Sequence, residues 1–271
     1  MERKGWRRLV CVAILAFAFG GCSTVPRSFH PSAPISPHEF SHRLFDDVLR
    51  DHVADGVVDY PGIAGDRRFG EYLGLLDRVN PNALPTGQDR LAYWINAYNA
   101  FAIKGILEGH SPLTLIGRYR YFIGTTYRVG GEAISLYDLE QHLLIPDFRE
   151  PRMHFAIVCA SRSCPKLQPR ACQPDRLEQQ LEAGARAFVN DPTRNRFDRR
   201  EKVAYLSMIF KWFEEDFAAH SGSLLGYVKR YVADPGLAGE LDAVPYRVEF
   251  LPYDWGLNGI PLEEDGRAGS S

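Results

Sequence analysis

The chain has 271 residues, 45% of them hydrophobic and 24% charged, the composition of an ordinary globular protein with enough apolar material for a sizeable core. Its formal net charge is −2, so the basic excess that neutralises a phosphate backbone is missing and nucleic acid is not an expected partner. The first 21 residues read as a targeting segment: Arg3, Lys4, Arg7 and Arg8 precede an apolar run, Leu9 to Phe19, too short to span a bilayer permanently. Gly20 and Gly21 stand directly before Cys22, as in a bacterial lipobox, which predicts a signal peptide over 1–21 and a lipidated Cys22. The expected place is therefore the periplasmic side of the cell envelope, outer membrane before inner, with the membrane as a partner through that lipid. Losing residues 1–21 removes four Lys/Arg and one Glu, so the mature chain is more acidic and the lipid, not charge, is the expected anchor.

Residues 22–36, rich in Pro and Ser, read as a tether. Ser36-Pro37 opens a helix with Phe40, Leu44, Val48 and Val53 at near-helical spacing. "DGVVDYPGI" breaks it, and a second amphipathic helix follows over about 67–79. Gln88 to His110 carries apolar residues nearly all the way round, which predicts a central buried helix. Tyr127 to Ser135 is a hairpin signal turning at Gly130-Gly131, and Ser135 with Asp138 caps a short helix. Residues 153–158 read as a buried strand, with Pro165, Pro169 and Pro174 preventing a helix behind it. A polar helix over 175–189, a hairpin in "RFDRREKVAYLS", an amphipathic helix in "SMIFKWFEEDFAAH", two short helices and a last strand in "YRVEFLPYDWGLN" complete the chain. The expected architecture is a mixed α/β fold of the α+β type. One helix-rich domain covers 37–261, with a small, largely antiparallel sheet in the second half and a disordered tail over 262–271.

Of the five cysteines, Cys11 leaves with the signal and Cys22 is acylated in this reading, so Cys159, Cys164 and Cys172 remain. An oxidising compartment lets disulfides persist, and three thiols allow one internal bridge. Cys159, behind the strand-like run, is a nucleophile, a disulfide partner or a buried structural residue. No zinc-type paired spacing and no phosphate-binding glycine loop is present, so neither a metal nor a cofactor is expected.

"DGVVDY", "AYWINAYNAFAI", "SLYDLE", "MHFAIVCASRSCP", "LSMIFKWFEEDF" and "YDWGLN" occur in the order that resembles the domain-of-unknown-function 547 family, over about residues 40–259. The resemblance implies a fold neighbourhood and no settled activity. It implies that Cys159 is the functional cysteine and Cys164 replaceable, with a Cys164–Cys172 bridge leaving Cys159 free. The family's short helix reads Ile-Glu-His, whereas this chain has Leu139, Glu140 and Gln141, with His142 one position on. That departure weakens a catalytic reading.

Two functions follow. In the first, Cys159 is the nucleophile of a thiol-dependent acyl transferase or hydrolase of cysteine-peptidase or transglutaminase logic. His142 or His154 is then the base, Asp254 or Glu140 the orienter, and Asn96 or Asn99 a stabiliser of the oxyanion. A peptide or peptidoglycan-type substrate suits the compartment. In the second, the protein is a non-catalytic binding or scaffold lipoprotein. Asn96 and Asn99, three apart on one helix face, then clasp a neighbouring loop, Asp254 caps a turn, and Cys159 is bridged or inert.

Overall fold

Why the strand expected at 153–158 does not form comes down to where its backbone hydrogen bonds find partners. The computed structural model describes residues 28–262. The targeting segment, Cys22 and the first part of the tether lie outside the described residues, as does the tail from 263.

Ser36-Pro37 opens a turn, closed by Glu39 N–H donating to Ser36 O (2.9 Å) and Ser36 N–H to Glu39 Oε2 (3.0 Å). The helix itself, α1, starts later, over Arg43–His52, and buries Phe45, Val48 and Leu49. Strands β1 (Val53–Ala54) and β2 (Val57–Asp59) pair antiparallel across Asp55-Gly56, both at positive φ. Short α2 (Tyr60–Ala64) and the Asp66-capped α3 (Arg67–Arg78) follow. Helix α4 (Gly87–Leu107) begins at a reciprocal cap. Asp89 N–H donates to Thr86 Oγ1 and Thr86 N–H to Asp89 Oδ2. Every residue of α4 from Leu91 to Ile103 is buried, as its all-round apolar sequence requires.

Helix α5 (Leu115–Tyr119) runs into a π-helical turn (Arg120–Gly124) and then the β3 (Thr126–Val129)–β4 (Glu132–Ser135) hairpin. Gly130 and Gly131 supply the two positive φ values of its turn. A Cβ on Gly131 would stand 2.2 Å from His30 O, because residues 29–31 lie directly on the turn. Phe29 is buried, its ring 5.5 Å from that of Trp94. The second half of the expected tether is thus docked on the fold, not free.

Ser135 caps α6 (Leu136–Leu139), which continues through a π-helical turn (Glu140–Leu144) into α7 (Ile145–Phe148). The expected strand at 153–158 is a correction. Pro151–Phe155 form a 3-10 turn capped by Glu150, and Ile157 N–H bonds back to Met153 O (3.0 Å). Ala156 O and Val158 N–H pair with a side chain, Asn99, in place of a neighbouring strand.

Helix α8 (Leu177–Val189), strands β5 (Arg196–Asp198) and β6 (Val203–Leu206), helices α9 (Met208–Trp212), α10 (Glu214–Ser221), α11 (Leu224–Val228) and α12 (Pro235–Ala243), and strands β7 (Arg247–Phe250) and β8 (Gly259–Ile260) complete the described chain. The helix-rich α+β reading holds, but the sheet is divided. The described residues contain β1-β2-β8, β3-β4 and β5-β6-β7, with β2–β8 and β6–β7 parallel. One apolar cluster surrounds α4. A second gathers Phe155, Phe188, Phe210, Phe217 and Tyr227. The 153–165 segment passes between them, with Met153 in the first and Phe155 in the second.

Candidate functional site

Ala160 adopts φ 58°, a conformation that turns the chain sharply after Cys159. The turn brings Cys164 back, and a disulfide joins Cys159 to Cys164 with Cα atoms 6.3 Å apart. The bridge implied by the resemblance, Cys164 to Cys172, is therefore not the one formed. Cys172 is the free thiol among the described residues, and burial pushes its pKa up to about 12.

The loop within the disulfide is held from two sides. The chain at 254–258 runs along it: Arg162 N–H donates to Gly256 O (2.8 Å), Ser163 N–H to Asp254 O (3.2 Å) and Asn258 N–H to Ala160 O (3.1 Å). On the other side the Arg194 guanidinium donates from Nε and Nη2 to Cys164 O (2.9 and 2.7 Å) and from Nη2 to Arg162 O (2.9 Å), while pairing with Asp191. The fork shape of arginine suits two adjacent carbonyls better than lysine would.

Two hydroxyls face the sulfurs. Tyr253 OH lies 3.3 Å from Cys159 Sγ and 3.2 Å from Cys164 Sγ, and accepts a bond from Ser161 Oγ (2.9 Å). Ser161 Oγ is itself 3.3 Å from Cys159 Sγ. Neither neighbour is an imidazole. Desolvation raises the Tyr253 phenol well above its ordinary pKa, so it stays protonated. Tyr253 packs at a tilt against Trp212 (4.7 Å) and Trp255 (4.6 Å), and the Arg118 guanidinium covers Trp255 at 4.7 Å.

The residues singled out in the sequence go to different places. Asn96 clasps Cys172: its Nδ2 donates to Cys172 O (2.8 Å) and its Oδ1 accepts Cys172 N–H (2.9 Å). Asn99 does the same two residues apart, donating to Ala156 O (2.9 Å) and accepting Val158 N–H (2.8 Å). Both amides are thus engaged by backbone, as in the clasp reading. Asp254 caps a turn, accepting Gly256 N–H (2.8 Å), with Arg162 at 3.7 Å. It orients no histidine through these contacts.

His142, half-exposed, is hydrogen-bonded through Nδ1 to Asp138 Oδ1 (3.1 Å) and meets the Tyr137 ring edge-on. His154 is buried: Nε2 bonds Asp216 Oδ2 (2.9 Å) and the ring stacks on Phe213 at 3.9 Å. Its Nδ1 is buried with no hydrogen-bond partner among the described residues. Burial depresses its pKa against the opposing pull of Asp216, so a neutral ring donating from Nε2 to Asp216 fits this position. Glu140 accepts the Tyr98 hydroxyl (3.2 Å), and burial pushes its carboxyl up to about 7.

Beside the disulfide loop a groove of about 340 Å³ opens between Asp55, Gly56, Arg162, Lys166, Arg194 and Asn258. Lys166 pairs with Asp55 at 2.8 Å on its exposed rim. Among the described residues no group of three or more His, Cys, Asp or Glu is placed to hold a metal, and no helix is long and apolar enough to cross a membrane.

Residues 82–189 match the family model of DUF547, a protein of unknown function. The match supports the family resemblance over that segment. No curated protein and no solved structure matches the chain. The matched segment runs from the turn before α4 to the last residue of α8, and so holds both asparagine clasps and all three of Cys159, Cys164 and Cys172. Arg194 and Tyr253, which fix the disulfide loop, lie beyond it. Sequence reasoning passed over Arg194, Tyr253 and Ser161. The tyrosine beside Asp254 in "YDWGLN" was the one available signal, and Arg194 had none, since its partners are carbonyls 30 and 32 residues earlier.

Proposed function

We propose that this chain is an envelope lipoprotein that binds a ligand and does not turn it over, with the disulfide loop as a structural rim of its binding groove. The observation that carries the reading is the Cys159–Cys164 bridge, together with amides and a carboxylate that are occupied in holding backbone. The signal-like first 21 residues and Cys22 support the location. Arg162 and Lys166, both substantially exposed at the groove, suit a ligand carrying carboxylates, such as a peptide of the cell wall.

Iodoacetamide treatment of the native, unreduced protein tests this: Cys159 stays unlabelled, and Cys172 reacts only after denaturation. Titration with a short peptide ending in a free carboxylate should show at least about tenfold weaker binding for Arg162→Glu with Lys166→Glu. Rapid native labelling of Cys159 would remove the reading.

A second reading, thiol-dependent acyl transfer or hydrolysis at Cys159 after reduction, is favoured by one feature. Cys159 is the more exposed half of the bridge, and its sulfur already faces two hydroxyls. Turnover of a thioester or amide probe only after mild reduction, lost in Cys159→Ser and kept in Cys164→Ser, would establish it over the first.

A further inference from the structure

Burial sorts nearly all large apolar side chains of this protein into its two cores, with one concentrated exception. The large hydrophobics left exposed in the described residues are Val57, Leu113, Leu115, Ile116, Tyr119, Ile123 and Ile260. Five of the seven fall within eleven consecutive residues. Leu113 lies in the turn before α5, Leu115, Ile116 and Tyr119 on α5 and Ile123 on the π-helical turn behind it, with Leu115 and Ile116 exposed by 67% and 69%. Helix α5 buries none of its own residues, so its apolar side chains are not placed there to build the core. The five together expose on the order of 500 Å², at the upper end of what a monomer leaves bare.

The charge around the patch is one-sided. From Gly109 to Gly131 the chain contains no Asp or Glu, while it contains Arg118, Arg120 and Arg128, in a protein whose net charge is negative. Apolar tips, a tyrosine and interspersed arginines are the side chains that settle at the boundary between acyl chains and anionic headgroups. A protein partner with an acidic rim would meet the same charge, but the course of the amino-terminal chain favours a bilayer. The chain leaves the described fold at Ser28, with Phe29 and His30 pinned to the Gly130-Gly131 turn. That turn is at the far end of the four-residue strand β3, whose near end adjoins the patch. Five residues separate Cys22 from Ser28, six chain steps with a reach of about 20 Å, comparable to that hairpin's length. A lipid at Cys22 would therefore hold the patch close to the membrane that it enters.

We infer that the 113–123 segment is a membrane-docking face, inserting Leu115, Ile116 and Ile123 among lipid tails with Arg120 at anionic headgroups. The inference rests on the lipoprotein reading only for the source of the membrane. Its test keeps the two apart.

The full chain is mixed with phosphatidylcholine vesicles containing one quarter phosphatidylglycerol and brominated acyl chains. Flotation of the wild type reports the lipid anchor. Tryptophan quenching, compared between Ile116→Trp and the control Arg200→Trp, reports the patch. At least a twofold excess of quenching at position 116, reduced about twofold by adding Arg120→Glu, is expected whether or not the anchor is present. Both positions are at the surface, so neither substitution threatens folding. Equal quenching at the two positions overturns the inference even if the protein floats. So does dimerisation in vesicle-free solution that Leu115→Asn abolishes, which would give the face to a second copy of the chain.

Discussion

The central helix α4 and the disulfide loop both hold the same segment, residues 156–172, but by opposite means. From the inside, the buried Asn96 and Asn99 grip it with paired amide-to-backbone bonds. From the outside, the grip is the Cys159–Cys164 bridge, Arg194 and the 254–258 chain, part of it reachable by solvent. The inner hold is insensitive to conditions, because its groups do not titrate and cannot be reduced. The outer hold can be undone chemically while the inner one stays in place.

The largest expected effect lies on the inner side. Asn99→Ala strands a buried N–H at Val158 and a buried carbonyl at Ala156, and should cost about 4 kcal/mol in urea denaturation, at about 2 kcal/mol for each orphaned group. A loss near zero would mean that the segment is held by the outer grip alone.

Between the two regions stands Glu140, bonded to Tyr98 of α4. With its folded pKa at about 7 against an unfolded value near 4.5, the folded state keeps a proton that the unfolded state loses. Wild-type stability from this group is complete below pH 4.5 and falls as pH rises through 7. Glu140→Gln should thus match the wild type near pH 4.5 and exceed it by up to about 3 kcal/mol at pH 8. The buried His42, bonded to Tyr72 OH and lowered to about 4 by desolvation, acts in the other direction. Its contribution is present above 6.5 and lost as pH falls toward 4. Stability of the variant should therefore climb with pH across 4.5–6.5, where in the wild type the two groups offset each other. Parallel denaturation curves at pH 5 and 8 check this.

A smaller effect is expected on the outer side. Cys164→Ser, or reduction of the native protein, opens a short loop and should cost about 2 kcal/mol, with amide exchange of Val158 unaffected. Faster exchange at Val158 would show that the inner grip depends on the outer one.

The two regions also differ in how far they could be read from sequence. Helix α4 was legible in type, extent and burial, because local periodicity and a cap encode it. The asparagine pair was legible as a clasp, because amides buried three apart must find partners. The 153–158 strand was misread because the apolar run satisfies its backbone through Asn99, which periodicity along the run does not register. The disulfide partner was misassigned for a related reason. The φ of 58° at Ala160 brings Cys164 to Cys159, and no residue type there announces a left-handed turn. Tyr253 and Arg194 reach the site from 89 and 30 residues beyond Cys164, a distance that only tertiary structure closes.

Cys172 carries a last consequence. Three sulfurs permit three pairings, and only one is found in the folded state. With its pKa at about 12, Cys172 holds almost no thiolate at neutral pH, and the thiolate is the form that attacks a disulfide. Once Asn96 has drawn the Cys172 backbone inward, rearrangement to either wrong isomer is therefore closed off kinetically. Oxidation after collapse around α4 should therefore give more Cys159–Cys164 isomer than oxidation of the denatured chain, as peptide mapping of the two products would show.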